Sequence, residues 1–152
     1  MTARTSYDRV VVGATLAGCA AALESAEAGE DILLTESGTQ LASDLTATRR
    51  LWLPQAGLLQ EVLEDCAEEV RDKPALRAGK LRKRLLEVLR EAGVTVLFGA
   101  RPAAAAIDAG RCTGAVFGTK SGLILIPARS ITDATPDLVM QRLSGANVTV
   151  TR

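Results

Sequence analysis

Apolar and polar positions fall in blocks along this chain, and the period changes from block to block. Val10 to Val12 is a short run of β-branched residues ended by Gly13, which predicts a strand buried on both faces. Leu16 to Ala28 is alanine-rich and predicts a helix, with Gly29 just past its C-terminus. The segment "DILLTE" reads as a second strand, closing a β-α-β unit within about 30 residues. Parallel strands joined in this way imply a right-handed crossover. Ser37 to Arg50 is small, polar and without period, which predicts a long loop of the kind that is often functional.

Further on, Leu58, Leu59, Val62, Leu63, Cys66 and Val70 recur at helical spacing, and Pro74 punctuates the chain after them. Leu81, Leu85, Val88, Leu89 and Ala92 form the stripe of a second long helix closed by Gly93, and "VTVLFG" is the next strand. Between Ala103 and Ile126 short apolar stretches are separated by "DAGR" and "TKSG", which predict the turns of a small antiparallel meander over about 102–127. "RSITDAT" returns as one more buried strand. Thr135 then suits an N-cap with Pro136 at the first position of a helix ending near Gly145. The expected class is α/β, with a Rossmann-like parallel sheet flanked by helices and the meander inserted before the last parallel strand. One domain is expected over 1–152.

Composition narrows the chemistry. At 152 residues the chain can bury about two-thirds of its unfolded surface. Lys+Arg and Asp+Glu balance at 18 each, so no overall field favours nucleic acid or an anionic membrane, and neither is expected as a partner. There is no histidine, which removes the usual zinc sets and every Ser-His or Cys-His mechanism; no metal site is expected. Cys19, Cys66 and Cys112 are odd in number and lie in apolar surroundings, so they read as reduced core residues of a cytosolic protein. No segment reaches the length of a membrane span and "MTARTSYD" has no long apolar run, so a soluble, cytoplasmic protein is expected.

The candidate chemistry sits in the first β-α-β unit. A phosphate-binding turn needs glycine for a tight turn, for close approach to the phosphates and for helix-to-strand packing. Gly13 and Gly18 meet the first and third needs. Thr15 holds the second place, where its side chain narrows the approach but its hydroxyl can donate to phosphate. The helix N-terminus offers free N–H groups to an anion. Glu36 ends the second strand 23 residues after Gly13, where a carboxylate can accept both ribose hydroxyls and would repel the 2′-phosphate of NADP. The blander reading is that the glycines only let strand and helix pack, and that Glu36 is a solvated strand end. The basic run "KLRKRLLEVLR" lacks interleaved aromatics and contains Glu87, so it reads as a solvated helix face. Trp52, Arg49 and Arg50 lie near the long loop and could touch a ligand, although a lone tryptophan more often packs in a core or interface.

These residues carry a resemblance. "VVVGATLAGCAAALESAEAGEDILLTE", "LRKRLLEVLREAGVTVLFGA", "GRCTGAVFGTKSG" and "SITDAT" occur in the order seen in FAD-dependent oxidoreductases with a glutathione-reductase-like FAD domain, and the similarity spans nearly the whole chain. It implies that the turn of Gly13, Ala14, Thr15, Leu16, Ala17 and Gly18 approaches the FAD diphosphate. Glu36, with Ser37 beside it, would meet the adenosine ribose, and residues near Arg101 and Pro102 the adenine. Asp133, Ala134 and Thr135 match the start of the family's late Ala-Thr-Gly turn, where Pro136 replaces the glycine and removes an N–H. "QLASD" stands where many relatives have paired glycines beside the cofactor.

The resemblance therefore implies FAD as cofactor, with NAD as the weaker alternative, and hydride transfer at the flavin. Family members carry a substrate domain and a C-terminal segment that holds the flavin ring. This chain is expected to be a fragment, or a subunit completed by another chain or domain, poorly active when isolated and without an identifiable catalytic residue. Two other readings stay open: a degenerate Rossmann-like structural or interaction subunit, and a small NAD-binding domain.

Overall fold

A strand that gives no face to water has to be covered on both sides, and β2 (Ile32–Glu36) is buried at all five positions. β1 (Tyr7–Val12) lies beside it with its three valines buried. The computed structural model of the protein describes residues 6–48, 51–52, 55 and 57–145; Arg49, Arg50 and the segment 146–152 fall outside them. Between the two strands runs α1 (Leu16–Glu27), which buries Gly18, Cys19, Ala22 and Leu23.

β2 is followed by a short helix α2 (Ser43–Thr46), a 3-10 turn (Gly57–Leu59) leading into α3 (Gln60–Asp65), and a hairpin of β3 (Ala67–Val70) and β4 (Lys73–Leu76). The long helix α4 (Ala78–Glu91) then leads to β5 (Thr95–Phe98). β6 (Arg101–Asp108), β7 (Arg111–Thr119), β8 (Gly122–Asp133) and α5 (Val139–Leu143) complete the order. One six-stranded sheet runs β5-β2-β1-β8-β7-β6, the first four strands parallel and the last pairings antiparallel. The expected α/β class with its parallel sheet and antiparallel meander is what the chain adopts.

Alternation along β1 divides the interior in two. Val11 faces one cluster with Leu34, Leu63, Leu81, Leu85 and Leu89, covered by α1, α3 and α4. Val10 and Val12 face a second cluster with Leu33, Phe117 and Met140, covered by β7 and α5. Helices thus cover one face, and the meander with its small helix covers the other. Arg9 of β1 ties the loop before β2 to β8: it pairs with Glu30 at 2.7 Å and donates to Thr132 of β8 at 3.2 Å. The bond to Glu30 holds the arginine above its ordinary pKa, and the same bond holds Glu30 below the usual carboxylate range.

The fold corrects several sequence expectations. The helix expected to run to Val70 ends at Asp65, and Val70 lies on β3. The hairpin turn there is built from Arg71 and Asp72 at φ +52° and +60°, with no glycine to announce it. The loop after Glu36 contains α2 and buries Leu41 and Ala42. The meander and the last parallel strand are one unbroken β8: it pairs with β7 through 122–127 and with β1 through 128–133. The final helix starts at Val139 rather than Pro136, because Asp133 and Thr135 accept N–H groups from the turn and first helical residues. Cys112 is exposed on β7, unlike buried Cys19 and Cys66. Trp52 is 57% exposed, with Lys73 Nζ 5.9 Å from its ring centre, rather than packed in a core.

Candidate functional site

The carboxyl ends of β1, β2 and β8 meet at the Gly13 turn. Gly13 N–H donates to Thr35 O at 2.9 Å and Ala134 N–H donates to Val12 O at 2.8 Å, so the turn is pinned from both sides. A Cβ on Gly13, which has φ +97°, would lie 3.1 Å from Ala134 backbone atoms. A Cβ on Gly18 would lie 1.9 Å from Gly13 O. Helix α1 can sit this close to the turn only because Gly18 has no side chain.

Thr15 is the N-cap of α1 and is buried. Its hydroxyl accepts from Gly18 N–H at 3.1 Å and donates to Ala134 O at 3.0 Å. A hydroxyl has a single donor, so Thr15 has none left for a phosphate; its side chain closes the helix and ties it to the end of β8. The N–H groups of Thr15 and Ala17 have no acceptor among the described residues. Leu16 N–H does: it donates to Asp44 Oδ1 at 3.0 Å.

Glu36 is buried at the end of β2. One carboxylate oxygen accepts from Ala14 N–H at 3.0 Å and the other from Gly38 N–H at 2.8 Å. It is therefore a fixed, hydrogen-bonded acid rather than a solvated strand end, and with about four lone-pair sites it keeps acceptor capacity beyond these two bonds. A cleft of ≈ 310 Å³ opens beside it, reached by Gly13, Thr15, Ser37, Arg101, Pro102 and Thr135. Ala14, Leu16, Ala17, Gly18 and Ala134 shape the turn behind this cleft without lining it. Pro136 and Asp137 line its far side, and Asp137 pairs with Arg142 at 2.8 Å.

Behind Thr135, Asp133 holds the turn together. One oxygen accepts from the Thr135 N–H and hydroxyl at 3.0 and 2.5 Å, the other from Met140 and Gln141 N–H at 2.7 and 3.1 Å. Sequence reasoning missed Asp44, whose contact with α1 joins residues 28 apart and leaves no periodic trace. Trp52 does not line the cleft. Among the described residues no group of three potential metal ligands is assembled, and no helix is long and apolar enough to cross a membrane.

A glycine turn between parallel strands, a helix N-terminus above it and an acid at the end of the neighbouring strand form the arrangement found in Rossmann-type α/β folds. The family model for FAD-dependent oxidoreductases matches residues 8–152, and the chain belongs to that family, whose cofactor is FAD. No curated protein matches it by sequence. Among solved structures it is similar to a geranylgeranyl bacteriochlorophyll reductase-like protein from Thermoplasma acidophilum, with a TM-score of 0.74 at 19% identity over 97% of this chain and 44% of that one. It is also similar to THI4 from Thermovibrio ammonificans, with a TM-score of 0.70 at 18% identity over 94% of this chain and 64% of that one. A third is p-nitrophenol 4-monooxygenase from Pseudomonas putida, with a TM-score of 0.64 at 16% identity over 93% of this chain and 43% of that one. The chain thus spans between two-fifths and two-thirds of the length of these structures.

The residues present fit one end of FAD better than the other. The fixed acid of Glu36 and the cleft beside it suit a ribose and its base. At the diphosphate end, the two N–H groups that lack an acceptor among the described residues lie beside one that already holds a carboxylate.

Proposed function

We propose that this chain binds the ADP half of FAD in the cleft beside Glu36 and serves as the FAD-binding unit of a flavin-dependent oxidoreductase, completed at the flavin ring by another chain or domain. The observation that carries this reading is the buried Glu36 carboxylate, oriented by Ala14 and Gly38 N–H groups and opening on the cleft. Glu36 would accept from the ribose hydroxyls and Ser37 would lie beside them. The N–H groups of Thr15 and Ala17 would face the diphosphate, and Arg101 and Pro102 would flank the adenine. FAD supplies hydride transfer at its ring when bound; the protein's own residues bind and orient it. An acid at the ribose disfavours the 2′-phosphate of NADP and leaves NAD as the weaker alternative.

Calorimetric titration with FAD, NAD and NADP should rank them in that order. Charge-assisted hydrogen bonds are worth about 1.5–3 kcal/mol each, so Glu36→Gln should weaken FAD and ADP about tenfold or more while far-UV circular dichroism stays native. Equal affinity of the variant would remove Glu36 from the site. A second reading, a structural or interaction module without cofactor, draws on Asp44 at the Leu16 N–H and on Pro136 at the cleft. Absent heats for all three dinucleotides with folded protein would select it.

A further inference from the structure

We infer that Asp44 is an internal stand-in for the ligand's diphosphate: its carboxylate occupies the N-terminus of α1 and makes this site favour a nucleoside over the same nucleoside carrying a diphosphate. The inference deepens the proposed ADP-half site and rests on it for the position of the nucleoside. Three observations carry it. Asp44 Oδ1 accepts from Leu16 N–H at 3.0 Å, a bond a helix N-terminus offers to any anion. The carboxylate pairs with no cation among the described residues. The loop that presents it is anchored: Ala42 N–H donates to Ala14 O at 2.7 Å, and Leu41 and Ala42 are buried.

That anchoring decides what a diphosphate would meet. The backbone of α2 is tied to the glycine turn itself, and Thr46 and Thr48 hydroxyls bond back to Ala42 O and Asp44 O. The loop cannot swing clear without breaking the Ala42 N–H bond to Ala14 O and exposing Leu41 and Ala42, so a diphosphate must displace the Asp44 side chain alone or sit beside it. Either way two anions share one helix end, and like charges at such range oppose binding. A nucleoside that ends at its ribose reaches Glu36 and the cleft without entering this region. The same carboxylate satisfies an otherwise open N–H of the helix's first turn.

The test is calorimetry on wild-type protein and on Asp44→Asn, with adenosine, ADP, FAD and inorganic pyrophosphate as separate titrants and thermal melts to verify folding. Asparagine keeps the acceptor for Leu16 N–H and removes the charge; Asp44→Ser serves if that variant misfolds. Adenosine should bind both proteins within about twofold, whereas ADP, FAD and pyrophosphate should bind the variant about tenfold more tightly. An unchanged ratio of ADP to adenosine affinity, together with unchanged pyrophosphate affinity, would overturn the inference. A gain for pyrophosphate with no binding of adenosine, ADP or FAD would support Asp44 as the stand-in and sink the ADP-half reading. Failure of all four titrants on both folded proteins would overturn both.

Discussion

Among the glycines, Gly18 has the least room for a side chain. A methyl group there would stand 1.9 Å from the Gly13 carbonyl oxygen, a contact relieved only by moving helix α1 off the turn. Overpacking of this kind costs about 1–3 kcal/mol, and the atom struck is backbone rather than a pliable side chain. Gly18→Ala should therefore lower the melting temperature by several degrees and weaken any nucleotide at the turn; an unchanged melt would mean that the helix has slack. The spacing of Gly13, Gly18 and Glu36 was legible in the sequence because each residue type is forced by local geometry. Thr15 was legible only as an irregularity. Whether its hydroxyl faced a ligand or the protein depended on Ala134, 119 residues away, and the carbonyl there takes the proton. Asp44 was illegible for the same reason, since a carboxylate in a polar loop has no pattern that says which N–H it will find.

At the scale of elements, periodicity read well wherever a stripe was long. α4 buries Leu81, Leu85 and Leu89 as its spacing required, and the turns at Asp108–Arg111 and Thr119–Gly122 fall where glycine marked them. The β3–β4 hairpin failed to show because Glu68 and Glu69 blur alternation and its turn uses Arg71 and Asp72 in a left-handed conformation. Such a conformation costs an ordinary L-residue roughly 1–2 kcal/mol. Replacing the pair with Asn-Gly, the sequence that a two-residue turn of this kind prefers, should raise stability by about 1 kcal/mol in urea unfolding and leave nucleotide affinity unchanged. A loss of stability would show that Arg71 or Asp72 is held by contacts outside the turn. The delayed start of α5 has a similar origin: Asp133 caps it from the end of β8, so the helix begins where that carboxylate can reach and not where proline first permits.

For the whole molecule, the three cysteines report on separate regions. Cys19 and Cys66 belong to the helix-covered interior, where burial pushes the Cys19 thiol up to about 12 and raises that of Cys66, while Cys112 lies exposed on the meander. A thiol reagent at pH 8 should label Cys112 at once and the other two at the rate of global opening, because the thiolate is the reactive form. Prompt labelling of all three would show that α1 and α3 open locally. A consequence of another kind comes from β8, half of it paired with β7 and half with β1. A strand shared in this way makes the meander impossible to exchange as a cassette: splicing within it shifts both registers at once and carries Asp133 and Thr135 away from the glycine turn. Added chain is tolerated instead at hairpin tips such as Ala109–Gly110, where backbone is exposed and no ladder crosses. Enlargement of this architecture by insertion is therefore channelled to its rims, and the edge that carries the glycine turn is passed on intact.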